Sequence, residues 1–293
     1  MTLIQTLLTD KYVLQVSDRR LTRGGELFDD HHNKAVCWLG CMAAAFTGFA
    51  FADYEMKYPV SLWIADVLRW HVDNVNAINE LVLGASKIVF DLAPYFEKRK
   101  LSIVLAGIAP GTGFAYCARI SNFESGLEKS LKQFDHFCVD QWLMPLVPNN
   151  IHYMFSGVSL TQDEHYRVVE TLPDLIANHG VNNVARFLVA TQRRVAARST
   201  AVGQDAMVMV IPARSTAPHA ILTDTMSDAV MDVNPNFSYI RAHTFSQQRL
   251  APLMAGQGNV IQMQGWGDAA GNQQVQMKMV RVASPEDWAA RLG

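Results

Sequence analysis

Thr2, Asp18 and Lys34 are the residues of this chain whose types and order fit a single reaction. A free α-amino group has an unperturbed pKa of about 7.7–8.0, near working pH, and on a threonine it lies within reach of that residue's own hydroxyl. Removal of Met1, which a small second residue permits, would leave Thr2 carrying both a nucleophile and its general base. That arrangement needs a neighbouring cation to keep the amine neutral and a carboxylate to hold the cation, and Lys34 and Asp18 are the candidates. A threonine at position 2 means little alone; agreement with Asp18 and Lys34 gives it weight. Lys34 precedes the apolar run AVCWLGC, and a buried lysine is costly unless paired, so a purely structural reading requires the same partner.

The elements that must position these residues follow from the local pattern. LIQTLL and YVLQVS flank the turn-forming TDK, which predicts a hairpin whose second strand ends at Asp18. ELF and KAVCWLGCMAAAFTG continue the β pattern. The apolar stretch Val36 to Ala52 is short for a membrane span and carries Gly40 and Gly48 where a chain would turn, so buried strands are expected there. From Trp63 onward the period changes: Ile78, Leu81, Val82, Ala85, Val89 and Leu92 recur at helical spacing, with Pro94 marking the end. LSIVLAGIA, TGFAYCARI and HYMFSG return to strands, with GIAPGTG as a turn. A further helix runs through Val181, Val184, Ala185, Leu188 and Val195, and AMVMVIP is a buried strand. Beyond Pro212 the pattern loosens until NVIQMQ and QQVQMKMVRV, on either side of GWGDAAGN, predict a late hairpin. This order suits two sheets packed together under outer helices.

Composition excludes several classes. With 293 residues, 49% of them hydrophobic and 18% charged, the chain can bury one large core without staples. A formal charge of −2 argues against a sequence-independent nucleic-acid binder, which needs clustered Lys and Arg. Cys37, Cys41, Cys117 and Cys138 show no zinc spacing and sit among apolar neighbours, which fits a reduced cytoplasm. Met1 is followed by no basic region or cleavage site of a signal peptide, and no membrane partner is expected. Asp29, Asp30, His31 and His32 form DDHHN, but adjacent histidines point to opposite faces of an extended chain, so a solvated loop is expected and no metal. The GxG of PGTG lacks a phosphate-loop context and reads as a turn.

TLIQTLLTDKYVLQVSDRR, then HHNKAVCWLG, then AAAFTG resembles the N-terminal region of the proteasome β-type subunits and their bacterial relatives, which are N-terminal nucleophile (Ntn) hydrolases. Thr2, Asp18, Arg20, Lys34 and Gly48 recur at the family's separations without an insertion, and MFSGVSL resembles the junction that places a serine, here Ser156, near the nucleophile. The resemblance spans roughly Thr2 to Pro212. It departs at AARSTAVGQDAMVMVIP: where the family carries an aspartate a few residues before a Ser-Gly, this chain has Ser199, Thr200 and Gly203.

The resemblance implies an α+β fold, a four-layer αββα sandwich of two antiparallel sheets covered by helices, with residues 2–213 as the Ntn-hydrolase domain and 214–293 as a C-terminal extension carrying the late hairpin. It implies a threonine-type peptidase in which Thr2, Asp18, Lys34, Gly48 and Ser156 form the site, with the Gly48 N–H meeting the oxyanion and Arg20, Ser199 and Gly203 supporting it. No cofactor is implied. The expected partners are further copies of the chain in stacked rings and a polypeptide substrate, with an unfoldase left open. Two alternatives stand beside this reading: a non-catalytic ring-forming protein of the same fold, and a small-molecule amidase.

Overall fold

The computed structural model describes residues 2–23, 26–30, 32–109, 114–126, 128–130, 132–213, 237–240, 247–248, 250–267 and 273–292. Met1, His31, the PGTG turn and the tip of the late hairpin lie outside these residues. The fold is mixed α+β: two large sheets, with five helices among the described residues.

Leu3–Thr9 and Tyr12–Asp18 form the N-terminal hairpin, with Leu7 opposite Leu14 and Ile4 opposite Ser17. Its turn is closed by Thr9, whose hydroxyl donates to the Tyr12 carbonyl at 2.7 Å and accepts the Tyr12 N–H at 2.9 Å. Ile151–Gly157 flanks the hairpin on one side and Ala206–Pro212 on the other, and Phe237–Ile240 and Gln247–Gln248 complete a six-stranded sheet. The second sheet has eight strands, in the order Cys138–Pro145, Phe114–Ser121, Leu101–Ala109, Met42–Gly48, Ala35–Trp38, Leu250–Gly256, Asn259–Gly267 and Gln273–Arg281.

Every residue of Leu3–Thr9 is buried, because both faces of the strand are covered. Ile4 and Leu8 pack with Ala35, Ala43, Ala45, Ala106 and Cys117 of the eight-stranded sheet. Leu7 packs with Val168 and Leu172 of α3 (Gln162–Asn178) and Leu188 of α4 (Gly180–Arg198). The small side chains facing Ile4 and Leu8 let the two sheets approach closely. On the eight-stranded sheet, Phe46, Leu105 and Ile120 pack with Ile64 of α1 (Val60–Leu68) and Leu81 and Ala85 of α2 (Asn74–Asp91).

Three differences from the sequence reading have physical reasons. The second sheet is not wholly antiparallel: Leu250–Gly256 pairs parallel to Ala35–Trp38, with Met254 opposite Cys37. Strands from such distant segments are not bound to the antiparallel direction that a hairpin turn imposes. Helix α3 had no counterpart in the apolar-period reading, although Thr161 and Glu164 form a reciprocal capping box at its start. Cys138–Pro145 alternates intermediate and exposed residues, with only Met144 buried, as an edge strand does, and so lacks an apolar run. The Val36 to Ala52 stretch folds as two strands joined through Leu39 and Gly40, both at positive φ. Among the described residues no helix is long and apolar enough to cross a membrane.

Candidate active site

Thr2 sits immediately before the first strand, where three segments converge, and is buried. The Val158 N–H donates to its carbonyl at 2.9 Å, extending the ladder in which Leu3 faces Gly157. Its own N–H donates to Thr47 Oγ1 at 2.8 Å, and the Thr47 hydroxyl donates back to the Thr2 carbonyl at 3.2 Å.

Asp18 ends the second strand with its carboxylate completely buried. Oδ2 accepts the Leu3 N–H at 2.9 Å and Oδ1 accepts the Arg20 N–H at 2.8 Å, so the hairpin backbone fixes both oxygens. Lys34 enters from the segment before Ala35–Trp38. Its Nζ donates to Thr2 Oγ1 at 2.5 Å, to Asp18 Oδ1 at 3.1 Å and to the Arg20 carbonyl. An ammonium has three hydrogens, and these partners use all three. Burial pushes the Lys34 amine below the ordinary lysine value, while the Asp18 charge and hydrogen bond oppose that shift. The result is a lysine on the threonine hydroxyl that releases its proton more readily than an exposed one.

Gly48 follows Thr47 at φ +120, a conformation that L side chains rarely adopt, and a Cβ there would stand 1.9 Å from the Lys100 carbonyl oxygen. Gly48 and Leu21, next in sequence to the Thr47 and Arg20 that contact Thr2 and Lys34, both line a cavity of about 1100 Å³. Its apolar wall includes Phe28, Phe51 and Phe96, and Arg23, Lys98 and Lys132 bring positive charge to it.

No protein-family profile and no curated protein matches this chain. Among solved structures it is similar to Anbu (ancestral beta-subunit) from Yersinia bercovieri, at 12% sequence identity and a TM-score of 0.46, over 79% of this chain and 95% of that one. So distant a likeness leaves the chemistry to be argued from the residues themselves.

The other expected residues lie around this centre rather than in it. Arg20 meets Lys34 through its backbone carbonyl, while its guanidinium grips Asp30 through Nε at 2.6 Å and Nη2 at 3.1 Å. Gly203 packs under Arg20, where a Cβ would come within 2.8 Å of the Arg20 Cβ. Ser199 caps the end of α4, and its carbonyl accepts the Val202 N–H at 3.3 Å. Ser156 is buried, and its hydroxyl bonds to Glu124 and Ser102. His32 stacks edge-on against Phe51 and lies 3.7 Å from Asp29; burial, then the charge of Lys34, lowers its pKa to about 4.

Thr47 escaped the sequence reading although it stands beside Gly48 in AAAFTG, because one hydroxyl in an apolar strand carries no periodic signal. Glu124 and Ser102 escaped it because their partners are distant in the chain.

Proposed function

We propose that this protein is a threonine-type N-terminal nucleophile hydrolase that cleaves peptide or other amide bonds. The observation that carries the reading is the buried contact of Lys34 Nζ with both Thr2 Oγ1 and Asp18 Oδ1. A buried lysine paired only for structure has no need of the hydroxyl of the residue whose amine, once free, is the base of the reaction.

In this mechanism Thr2 Oγ1 attacks the scissile carbonyl carbon as its proton passes to its own free α-amine. The Gly48 N–H meets the oxyanion, the C–N bond breaks, and the leaving amine takes the proton. Water then hydrolyses the threonyl ester by the same route in reverse, restoring Thr2. Asp18 holds Lys34 in place. The cavity at Gly48 and Leu21 receives the side chain next to the scissile bond. The three clusters in which helices and sheets pack fit a four-layer αββα sandwich, with residues 2–213 as the catalytic domain and 214–293 as its extension. Val75, Leu83 and Phe90 stand exposed on α2, an apolar face suited to contact with further copies of the chain in a ring.

The test joins intact-mass measurement to covalent labelling by a peptidyl β-lactone. The reading expects mature protein beginning at Thr2, with one adduct on that residue. Protein that keeps residues ahead of Thr2 on all molecules and takes no adduct would favour the non-catalytic alternative.

A further inference from the structure

A second buried polar group holds Thr2 from the side of Ile151–Gly157. Glu124 is fully buried, and its two oxygens take three donors: the Ser156 hydroxyl on Oε2, and the Gly157 N–H at 3.0 Å and Lys129 Nζ at 3.2 Å on Oε1. Lys129 Nζ also donates to the Gly157 carbonyl at 3.1 Å, so one ion pair grips both polar groups of that residue. Gly157 leaves no room for a side chain toward Thr2. It sits at φ +86, and a Cβ on it would stand 1.9 Å from the Thr2 carbonyl oxygen and 2.9 Å from Thr47 Oγ1, the acceptor of the Thr2 N–H.

The hydroxyls continue the connection. Ser156 Oγ lies 3.0 Å from Ser102 Oγ, and Ser102 faces Thr47 across the Met42–Gly48 and Leu101–Ala109 ladder. With the Ser156 hydrogen committed to Glu124, the Ser156 oxygen is left to accept from Ser102. Those hydrogens run from Ser102 to Ser156 to Glu124, so the link to Thr2 is made by Gly157, which packs against the Thr2 carbonyl and the Thr47 Oγ1 that accepts the Thr2 N–H. Resting on the reading of Thr2 as nucleophile, we propose that Glu124 is a second positioning carboxylate of this site, fixing Ser156 and the Gly157 peptide and through them the amine side of Thr2.

Its charge has a direction of effect. Lys34 and Asp18 face Thr2, with Asp29 and Asp30 near Lys34; Lys129, Lys100 and Arg119 lie around Glu124. Arg119 is paired with Asp140, but neutralising Glu124 leaves Lys129 and Lys100 without its charge, which disfavours the ammonium form of the Thr2 amine. Because the neutral amine is the base, the acid limb of the rate profile then moves to lower pH. A Glu124 that served only the fold would change stability and leave that limb in place.

The experiment measures the rate constant for β-lactone labelling of the full chain against pH, with melting temperature, for the parent, Glu124→Gln, Glu124→Asp and Ser156→Ala. Glu124→Gln is expected to label about tenfold more slowly at the plateau, with its inflection lower by about one pH unit. Glu124→Asp restores the inflection, and Ser156→Ala, which leaves the Glu124 charge in place, slows the plateau without moving the inflection. Glu124→Gln and Ser156→Ala both labelling with the parent's profile would overturn the proposal. If Glu124→Gln does not fold, Ser156→Ala, which loses only a hydroxyl, decides by the same criterion. A parent that takes no label overturns the nucleophile reading itself, and this inference falls with it.

Discussion

Lys34 Nζ lies 2.5 Å from the hydroxyl oxygen of Thr2, and both residues are buried. Replacing Lys34 by Ala strands the Asp18 carboxylate in the interior and is expected to cost about 3–5 kcal/mol. Thr2→Ala removes one hydroxyl and leaves Lys34 with Asp18 and the Arg20 carbonyl, so its cost is expected to stay near ~1 kcal/mol. Lys34→Arg keeps the charge but substitutes a planar fork that cannot give up a proton; it should fold better than Lys34→Ala while labelling as poorly. Melting temperatures and β-lactone labelling of the three variants check this order.

Glycines near the site separate steric need from simple turn preference. Gly48→Ala sets a Cβ against the Lys100 carbonyl in a disfavoured conformation and should cost more than about 3 kcal/mol or abolish folding. Gly126→Ala, at φ +57 with nothing within 4 Å of the new Cβ, should cost only about 1 kcal/mol. Denaturant midpoints of the two variants give the comparison; equal midpoints would refute the crowding argument at Gly48.

Acid should weaken the fold through His32. In the unfolded chain this imidazole protonates below its ordinary value of 6.5, whereas in the folded protein burial holds it neutral down to about 4. Between those values the unfolded state binds more protons, so stability is lost as pH falls through that window, by up to roughly 3 kcal/mol. His32→Phe removes the titrating group and keeps a ring against Phe51; urea melts across the window should show a flatter acid limb for this variant.

Charge at the cavity predicts a substrate preference. Arg23, Lys98, Arg99, Lys100 and Lys132 outnumber Asp53 and Glu97 among its lining residues, in a chain of net charge −2. Peptides that join an aromatic residue to an acidic one are expected to react about tenfold faster than their basic counterparts, with the gap closing as salt rises. Lys98→Glu combined with Lys132→Glu should remove the preference without changing labelling by an uncharged β-lactone. Competition between matched acidic and basic peptides measures it.

The sequence by itself determined the N-terminal hairpin, with its turn at TDK and its end at Asp18, because adjacent apolar runs around a turn fix their own pairing. It also carried the spacing of Thr2, Asp18, Lys34 and Gly48 and the helical period of α2, since all of these are written along a single stretch of chain. Helix α3 was also written there, in the capping box of Thr161 and Glu164 and in Val168, Leu172 and Ile176 at four-residue spacing, although the apolar-period reading passed over it. Tertiary structure alone decided that Leu250–Gly256 joins Ala35–Trp38 in parallel, that Thr47 takes the Thr2 N–H, and that Glu124 holds Ser156 and Gly157. The physical reason is the same in each case. A buried polar group must find a partner wherever the packed strands bring one, and the strands that supply it meet across long loops whose closure no local pattern records.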